Sequence, residues 1–297
     1  VLCAAGDTKR PLYYLAFAGV VNVILNLFFV IVCHLGVAGV ALASMISQFI
    51  SAFLILRALL TGKEKYCLRL SEIRLDKRKA VGILQIGIPS AFQYSLFAFA
   101  NLFVQSSVNS FDHVLVEGNS AAANADPLVY DMMAAFYTAC SSFIAQNFGA
   151  RKKKRILQTY LICLFYSFIT SLVLGVGIYL ARYPFLYLFT SDKAVVEAGI
   201  TRLSIMALSY SASAFMDASI AASRGLGKTA VPTFVVVMGS CVFRIIWIYT
   251  IFAYFHTIQS LYILYVFSWG ITAIAENIYF FHVYRHTLTG KTESHLK

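Results

Sequence analysis

Long apolar runs, each of a length that can cross a bilayer as a helix, recur along the whole chain. A transmembrane α-helix needs about 20 apolar residues, whereas a transmembrane strand needs only about 10 residues of alternating polarity. The composition agrees, because a chain that is 60% hydrophobic and 12% charged cannot be covered by a polar surface. We therefore expect a polytopic all-α membrane protein with about eight transmembrane helices. The candidate spans are 11–32, 37–58, 81–108, 119–148, 156–181, 196–223, 230–255 and 259–284.

The Lys and Arg residues are divided unequally between the loops that join these runs. The chain has 24 Lys and Arg against 13 Asp and Glu, a net charge of +11. If successive spans alternate in direction, twenty of the 24 fall in one set of loops, and only Arg182, Lys193 and Arg202 fall in the other. Arg244 alone is assigned to a span. The positive-inside rule then predicts cytoplasmic termini, and the charge reflects membrane topology instead of nucleic-acid binding.

No pattern of Cys and His indicates an enzyme, a metal site or a disulfide framework. The six Cys include no CxxC pair, and the six His lie at span ends, in loops or in the tail. The glycine-rich stretch 225–229 resembles a nucleotide-binding loop, but Ala222 stands where that loop needs Gly, and an apolar span precedes it in place of a strand. We predict a non-enzymatic protein in the lipid bilayer, without a cofactor, a metal, a nucleic-acid partner or an obligate protein partner.

A short motif occurs twice before a long apolar run. Residues 6–11 and 227–232 share the pattern G-x-T-x-x-P at an offset of 221 residues. Six spans lie within that offset, so the copies are expected on one membrane face, as in a parallel six-helix repeat. In the second repeat the motif precedes the fifth and sixth helices. The first two spans are therefore expected to be the last two of a preceding repeat, in a twelve-helix, two-lobe transporter whose first four helices this chain lacks.

The repeat and the charged stretches together predict the domain organisation. The longest charged stretch separates the first two spans from the other six, and its basic residues place it in the cytoplasm. The predicted parts are 1–60, the last two helices of an N-terminal lobe; 61–80, a basic cytoplasmic linker; 81–286, a six-helix C-terminal lobe; and 287–297, a cytoplasmic tail.

Three further stretches fall where the repeat requires them. Residues 146–150 read QNFGA before a basic cluster, residues 86–90 read IGIPS with Gln93 following, and residues 224–229 read RGLGKT. They resemble the end of the eighth helix, the opening of the seventh and the loop before the eleventh in the multidrug and toxic compound extrusion (MATE) family. The resemblance extends from about residue 4 to 286. The residues of the QNxGA motif are Gln146, Asn147, Gly149 and Ala150.

The resemblance implies a secondary active transporter in the plasma membrane. Such a protein exchanges Na⁺ or H⁺ for an amphipathic organic cation or drug by alternating access. A related superfamily function is the flipping of lipid-linked oligosaccharides, which needs a cationic cavity for a pyrophosphate headgroup. Since Arg244 is the only basic residue assigned to a span, the sequence favours the antiporter.

Ionisable side chains within spans are the first candidates for ion coupling, because a charge at the bilayer centre costs about 2.5–3.5 kcal/mol on insertion scales. Counting about 1.5 Å per residue places Asp131 and Arg244 at similar depth, which predicts that they pair. The resemblance adds positions that bind the cation in some members, together with an aspartate of a helix that this chain lacks. The candidates for cation coupling are Asp126, Asp131, Asp217 and Glu276, with Asn22, Asn26 and Ser44 from the resemblance.

Two stripes of polar residues on neighbouring spans predict a substrate cavity. Gln93, Asn101 and Gln105 have the spacing i, i+8, i+12, and polar residues recur every seven positions from Asn124 through Asp131 on the next span. The alternative is that these side chains only join helices by hydrogen bonds. Aromatic side chains nearby could stack on a planar cation. The cavity candidates are Gln93, Asn101, Gln105, Asn124, Tyr130, Phe136, Tyr137 and Arg244.

Overall fold

The structure is a computed structural model that describes residues 2–3, 6–61, 67–69, 71 and 74–286. Over these residues it is helical, and eight helical segments are long and apolar enough to span a membrane, as predicted. It separates into two compact units, Val1–Asp76 and Lys77–Lys297. The predicted tail 287–297 and residues 62–66, 70, 72 and 73 of the predicted linker lie outside the described residues. The domain boundaries stay a prediction.

The first unit is a hairpin of two helices. Helix α1 is Lys9–Leu27, continued by a π-helical turn at Phe28–Val32, and α2 is Gly36–Thr61. The residues that these helices bury are small, among them Ala18, Ala43 and Ser47. Small side chains let two membrane helices approach closely, and in lipid this packing replaces the hydrophobic effect as the main source of association.

The described part of the second unit contains ten helices, and all of them except the short α7 contribute to six candidate spans. Two of the spans are composite. The fourth span combines α4 and α5, and the seventh combines α9, α10 and α11 with π-helical turns at Val237–Val242 and Ile248–Phe252. The helices are α3 Lys77–Val108, α4 His113–Ala123, α5 Ala125–Gly149, α6 Lys153–Leu180, α7 Arg182–Tyr187, α8 Lys193–Gly225, α9 Ala230–Val236, α10 Phe243–Trp247, α11 Ala253–Phe255 and α12 Ile258–His286.

The main differences from the predicted spans are local. The span predicted from residue 119 begins at His113 and is interrupted at Asn124, whose side-chain amide donates to the carbonyl oxygens of Ser120 and Ala121. The short helix α7 was not predicted, because six residues between charged positions carry no clear periodicity. The π-helical turns have no simple sequence signal either.

Helix α8 is the centre of the second unit and packs against α4, α5, α6 and α12. Most of its length is buried, and its buried residues are largely Ala, Ser and Gly. Three glycines mark very close approaches. A Cβ at Gly118 would lie 2.8 Å from the carbonyl oxygen of Val195, and one at Gly225 would lie 2.7 Å from that of Ser141. The third approach, at Gly175, is the tightest.

Gly175→Ala is expected to destabilise the protein. A Cβ there would lie 2.1 Å from the carbonyl oxygen of Ala207, which belongs to the backbone of α8, so the two helices would have to separate. Overpacking of this kind costs about 1–3 kcal/mol, and thermal unfolding in detergent should show a lower Tm. Gly177→Ala on the same helix is the control, because a Cβ there meets nothing within 4 Å. Equal Tm values for the two variants would contradict the expectation.

The two copies of the G-x-T-x-x-P motif have the same backbone structure. Gly6 and Gly227 have φ values of +90° and +76°, a region that favours glycine. In both copies the glycine N–H donates to the carbonyl three residues before it, and the next N–H donates to the carbonyl five residues before it. These two bonds define a Schellman motif, which in both copies precedes the next helix and at Gly227 follows the end of α8. The shared geometry supports the repeat inferred from the sequence.

Large apolar side chains cover the outer faces of the long helices. Ile83 and Phe92 on α3 and Leu161 and Phe165 on α6 are all exposed. A soluble protein rarely exposes so much apolar surface, whereas lipid tails solvate it. With the eight candidate spans, this surface defines a multi-pass membrane protein.

Candidate functional site

A cavity of about 420 Å³ lies inside the second unit, between α3, α4, α5, α8, α9 and α12. It opens to the surface of that unit, since Tyr94, Asn101 and Gln105 are exposed. A largely apolar wall with a few convergent polar groups is typical of sites for small organic molecules. The aromatic and polar lining residues are Tyr94, Phe97, Tyr130, Tyr137, Tyr262, Tyr265, Trp269, Gln93, Asn101, Gln105, Asn119, Asp126, Arg202, Asp217 and Arg224.

Aromatic rings form one wall of the cavity. The ring of Tyr130 meets those of Tyr210 and Trp269 edge to face, with centroids 5.8 and 6.0 Å apart. The ring of Tyr265 lies 5.4 Å from that of Trp269. Because each ring is held by its neighbours, the wall is rigid and presents π faces and edges to the cavity.

Asp126 is held by a network that joins α4, α5 and α8. Its carboxylate forms an ion pair with Arg202, whose Nη2 lies 2.5 Å from Oδ2, and it accepts a short hydrogen bond from the Tyr210 hydroxyl. Arg202 also donates through Nη1 to Oδ1 of Asn119, at 2.7 Å. The side chain of Arg202 is only 7% exposed, and that of Asp126 is 27% exposed. This carboxylate is therefore already neutralised by a partner.

Asp217 is the other carboxylate on the cavity wall. Among the described residues, it forms no ion pair comparable to that of Asp126, although Arg224 is near enough to act on it electrostatically. The Nη2 of Arg224 donates instead to Oε1 of Gln93, at 2.9 Å, and so joins α8 to α3. Asp217 is thus the cavity carboxylate that is most available to a bound cation.

Arg244 lies directly behind the lining, at the middle of its span. It is fully buried, donates to Asn101 at 2.8 Å and to Ser268 at 3.2 Å, and leaves Nη2 without a partner. Its guanidinium lies between the rings of Phe97 and Tyr265, 4.7 and 4.5 Å from their centroids. Cation–π attraction and these hydrogen bonds stabilise the charge where a carboxylate is lacking.

Glu276 lies outside the cavity lining and is fully buried on α12. Neither of its carboxylate oxygens has a hydrogen-bond partner within the part of the chain that the structure describes. Two other buried side chains, Thr233 on α9 and Ser223 near the end of α8, also have hydroxyl oxygens without partners. A buried carboxylate with no partner is costly in its ionised form unless it binds a proton or a cation.

The structure brings most of the predicted cavity residues together. Gln93, Asn101 and Gln105 share one face of α3 and line the cavity, and Tyr130, Tyr137, Asp126 and Asp217 line it as well. Asn124 and Phe136 are not on its wall, since Asn124 caps α4 and Phe136 stacks on Tyr166 at 5.9 Å. Whether any of these residues binds a substrate or an ion stays a prediction.

The predicted pair of Asp131 and Arg244 does not form. Asp131 is exposed on α5, whereas Arg244 is buried against Asn101 and Ser268. Equal depth in the membrane shows how far along its helix each residue lies, but it does not show which side of the helix the residue occupies. Asp131 is one residue after Tyr130, so it lies about 100° around the helix from the side that faces the cavity.

Arg202 is the main residue that the sequence analysis missed. It was assigned to a loop, so Arg244 was wrongly taken as the only basic residue in a span. In the structure Arg202 lies within α8, is buried and lines the cavity. Its position inside the predicted span 196–223 was the available signal. The aromatic wall from α12, Tyr262, Tyr265 and Trp269, was missed because aromatic residues are frequent throughout the chain.

The three candidates in the first unit form a small polar group on α1 and α2. Asn26 donates to the amide oxygen of Asn22 at 3.0 Å, and Asn22 donates to the hydroxyl of Ser47 at 3.2 Å. Ser44 contributes its carbonyl oxygen, which accepts from Ser47 at 2.9 Å. The group contains no carboxylate, and its role in cation binding stays a prediction.

The Gln146–Ala150 motif ends α5, as the resemblance implied. Arg151 follows it with φ of +55°, and the N–H groups of Arg151 and Lys152 donate to the carbonyls of Phe148 and Asn147. Asn147 also closes the helix through its amide, which donates to the carbonyl of Phe143 at 2.8 Å. The motif therefore shapes a helix end and is not on the cavity wall.

Comparison with known proteins agrees with this architecture. Residues 89–250 match the family model described as MatE. The probable multidrug resistance protein YpnP of Bacillus subtilis is 32% identical over 157 residues, which are 52% of this chain and 35% of that protein. The probable multidrug resistance protein NorM of Thermotoga maritima is 23% identical over 241 residues, covering 78% of this chain and 51% of that protein.

A solved structure shows the same fold. It is a transporter of the MOP superfamily from Pyrococcus furiosus, with a TM-score of 0.87 at 20% identity, and the match covers 95% of this chain and 64% of that one. The chain thus spans about half or less of the curated relatives and about two thirds of the solved transporter.

The fold and the cavity define a helical lobe of the kind found in membrane transporters. The chain belongs to the MatE family. This membership confirms the predicted fold class and the prediction that the chain is not an enzyme.

Proposed function

We propose that the chain is part of a cation-coupled antiporter that exports amphipathic organic cations or drugs by alternating access. The observation that carries the proposal is the cavity of about 420 Å³, which combines an aromatic wall with the available carboxylate of Asp217. The names of the two curated relatives, both probable multidrug resistance proteins, support the same class of substrate.

The cavity fits the chemistry of a planar organic cation. Faces of Tyr and Trp attract a cation by about 0.5–2 kcal/mol, depending on how far it is desolvated. Tyr130 and Trp269 supply such faces, and Asp217 supplies a negative charge on the same wall. A site of this kind accepts many compounds, because ring stacking and a single charge place few demands on shape.

The coupling ion, Na⁺ or H⁺, is proposed to compete with the substrate for the acidic groups of the lobe. An ion drives a conformational change only if it binds the two states with different affinity. Asp217 meets this need, since it can be neutralised by an ion or by the substrate but not by both. Arg224 donates to Gln93 and also acts electrostatically on Asp217, so it is placed to respond when the charge of Asp217 changes.

The second candidate function is the flipping of lipid-linked oligosaccharides. The sequence assigned only Arg244 to a span, but Arg202 and Arg224 line the cavity in the structure, and Arg244 lies behind its wall. Arginine side chains suit a pyrophosphate headgroup. All three already have partners in the lobe, since Arg202 pairs with Asp126, Arg224 donates to Gln93 and Arg244 is enclosed by rings. The antiporter therefore remains the favoured function.

The proposed location is the cell membrane, with both ends of this chain on the cytoplasmic side. The support is the distribution of basic residues. Five consecutive basic residues, Arg151 to Arg155, lie between the end of α5 and the first turn of α6, whereas few basic residues occupy the opposite set of loops.

The test uses the full-length protein reconstituted in liposomes. Movement of the fluorescent cation rhodamine 6G is followed under an imposed Na⁺ gradient, an imposed pH gradient and no gradient. The proposal predicts dye movement against the direction of one ion gradient and none without a gradient. Absence of movement under both gradients, with transport of a lipid-linked oligosaccharide analogue instead, would establish the second candidate.

A further inference from the structure

Three side chains on α8, α9 and α12 bury oxygen atoms that have no hydrogen-bond partner among the described residues. They are Glu276 with both carboxylate oxygens, Thr233 with its hydroxyl and Ser223 with its hydroxyl. Glu276 and Ser223 are fully buried, and Thr233 is 7% exposed. Buried polar atoms in proteins almost always have a partner, so four unpartnered oxygens on these three helices need an explanation.

Helix register places Thr233 and Glu276 in neighbouring turns. Two contacts between the α9–α11 span and α12 fix the antiparallel alignment: Arg244 with Ser268 at 3.2 Å, and Ser240 with Thr272 at 3.1 Å. One turn further along α12 from Thr272 is Glu276. The matching turn of the other span is at Val236, and Thr233 follows one turn later.

Ser223 on α8 lies near Thr233 and Glu276. Ser240 lies 3.9 Å from the sulfur of Met216, which aligns α8 with the α9–α11 span. The residues that lie about one turn from Ser223, Thr233 and Glu276, namely Ile220, Val236 and Ala273, belong to one buried cluster. The unpartnered oxygens are therefore grouped where α8, α9 and α12 pack together.

The chemistry of the group favours a hard cation. Carboxylate and hydroxyl oxygens are ligands for such ions, and an ionised Glu276 without a partner is unstable at this depth. A proton alone would neutralise the carboxylate, but the two hydroxyl oxygens would still have no partner. The π-helical turn Val237–Val242 follows α9 directly, and turns of this type frequently mark functional sites.

The charged surroundings of Glu276 leave room for one added positive charge. Helix α8 contributes Arg224, which acts on Glu276 electrostatically, and α9 contains no ionisable residue. On α12 itself the neighbouring titratable group is Tyr279. Arg224 donates a hydrogen bond to Gln93, and none of the ion pairs between described residues involves Glu276.

From this arrangement we propose that Glu276, Thr233 and Ser223 form a Na⁺ site next to the cavity and separate from Asp217. The site rests on the proposed function and deepens it, because a Na⁺ ion held there would act on the carboxylate for which the cationic substrate competes. Arg224 connects the two places, since it lines the cavity and acts on both Asp217 and Glu276. Binding of Na⁺ at Glu276 would change the field that Asp217 and a substrate experience.

The experiment measures ²²Na⁺ binding to the purified full-length protein in detergent at pH 8.5, where protons compete least. Glu276→Gln is expected to weaken binding at least about tenfold, and Thr233→Val, which keeps the side-chain shape, to weaken it several-fold. Asp131→Asn, which removes an exposed carboxylate that does not line the cavity, should bind nearly as the unmodified protein does. Ser167→Ala is the matched control, because the Ser167 hydroxyl is also buried and unpartnered but lies on α6, away from the group.

Unchanged ²²Na⁺ binding in Glu276→Gln would overturn the proposal, and so would absence of binding to the unmodified protein. If Thr233→Val binds fully while Glu276→Gln does not fold, the site as proposed is also wrong. Failure of the proposed function is a separate result. Binding that depends on Glu276 together with no gradient-driven dye movement would retain the site and reject the antiporter, and the reverse pair of results would reject only the site.

Discussion

Asp217→Asn is expected to abolish ion-driven efflux, with a loss of at least about tenfold in the rate of rhodamine 6G movement from proteoliposomes. Asp217 is the carboxylate on the cavity wall that no close ion pair already neutralises. Asparagine keeps the shape but has no charge for which an ion and a cationic substrate can compete. Substrate binding and ion binding are then no longer linked, and an imposed gradient does no work on the substrate.

The matched control for this variant is Asp131→Asn. Asp131 is also a membrane-embedded aspartate, but it is exposed on α5 and does not line the cavity. Its replacement should leave the rate within about twofold of the original, as is usual for a surface substitution away from special features. Full efflux in Asp217→Asn, or loss in both variants to the same extent, would show that the coupling charge is elsewhere.

Arg202→Met is expected to cause the largest loss of stability of any single substitution on the cavity wall. It leaves the carboxylate of Asp126 without its ion-pair partner and frees the amide oxygen of Asn119. Breaking a buried pair on one side costs about 3–5 kcal/mol, because the remaining charge is uncompensated. The measurement is thermal unfolding in detergent, followed by the loss of the monodisperse peak on a sizing column.

A double variant separates the lost pair from the lost packing. Arg202→Met with Asp126→Asn removes both charges, so it should recover a large part of the stability that the single variant loses. Arg182→Met serves as the surface control, since Arg182 rests on the ring of Tyr179 outside the cavity. A double variant that is less stable than Arg202→Met alone would mean that the ion pair is not the source of the effect.

The sequence was sufficient to predict the spans and one wall of the site. Apolar runs are a direct consequence of the membrane, and a stripe at i, i+8 and i+12 must share a helix face, so Gln93, Asn101 and Gln105 were correctly placed together. The repeat could be predicted as well, because the left-handed backbone at Gly6 and Gly227 restricts which residues fit there.

Other features depend on how helices rotate and pack, which spacing alone does not give. Depth along the bilayer suggested a pair of Asp131 and Arg244, but the side of α5 that faces the cavity is set by contacts with α8. The lack of hydrogen-bond partners for Glu276 among the described residues likewise depends on how α8, α9 and α12 pack together. Arg202 was misplaced because a basic residue near the end of a span looks like a loop residue until its partner, Asp126, is known.

The central claim is that substrate and ion are exchanged through this protein, and linkage requires the exchange to operate in both directions. The most direct test imposes only a gradient of rhodamine 6G across proteoliposomes that contain the full-length protein, and measures ²²Na⁺ entry and the internal pH. The account predicts that dye leaving the vesicles drives ²²Na⁺ or protons inward, and that Asp217→Asn abolishes this flux. Dye movement without any ion flux, or ion flux unaffected by the dye, would contradict it.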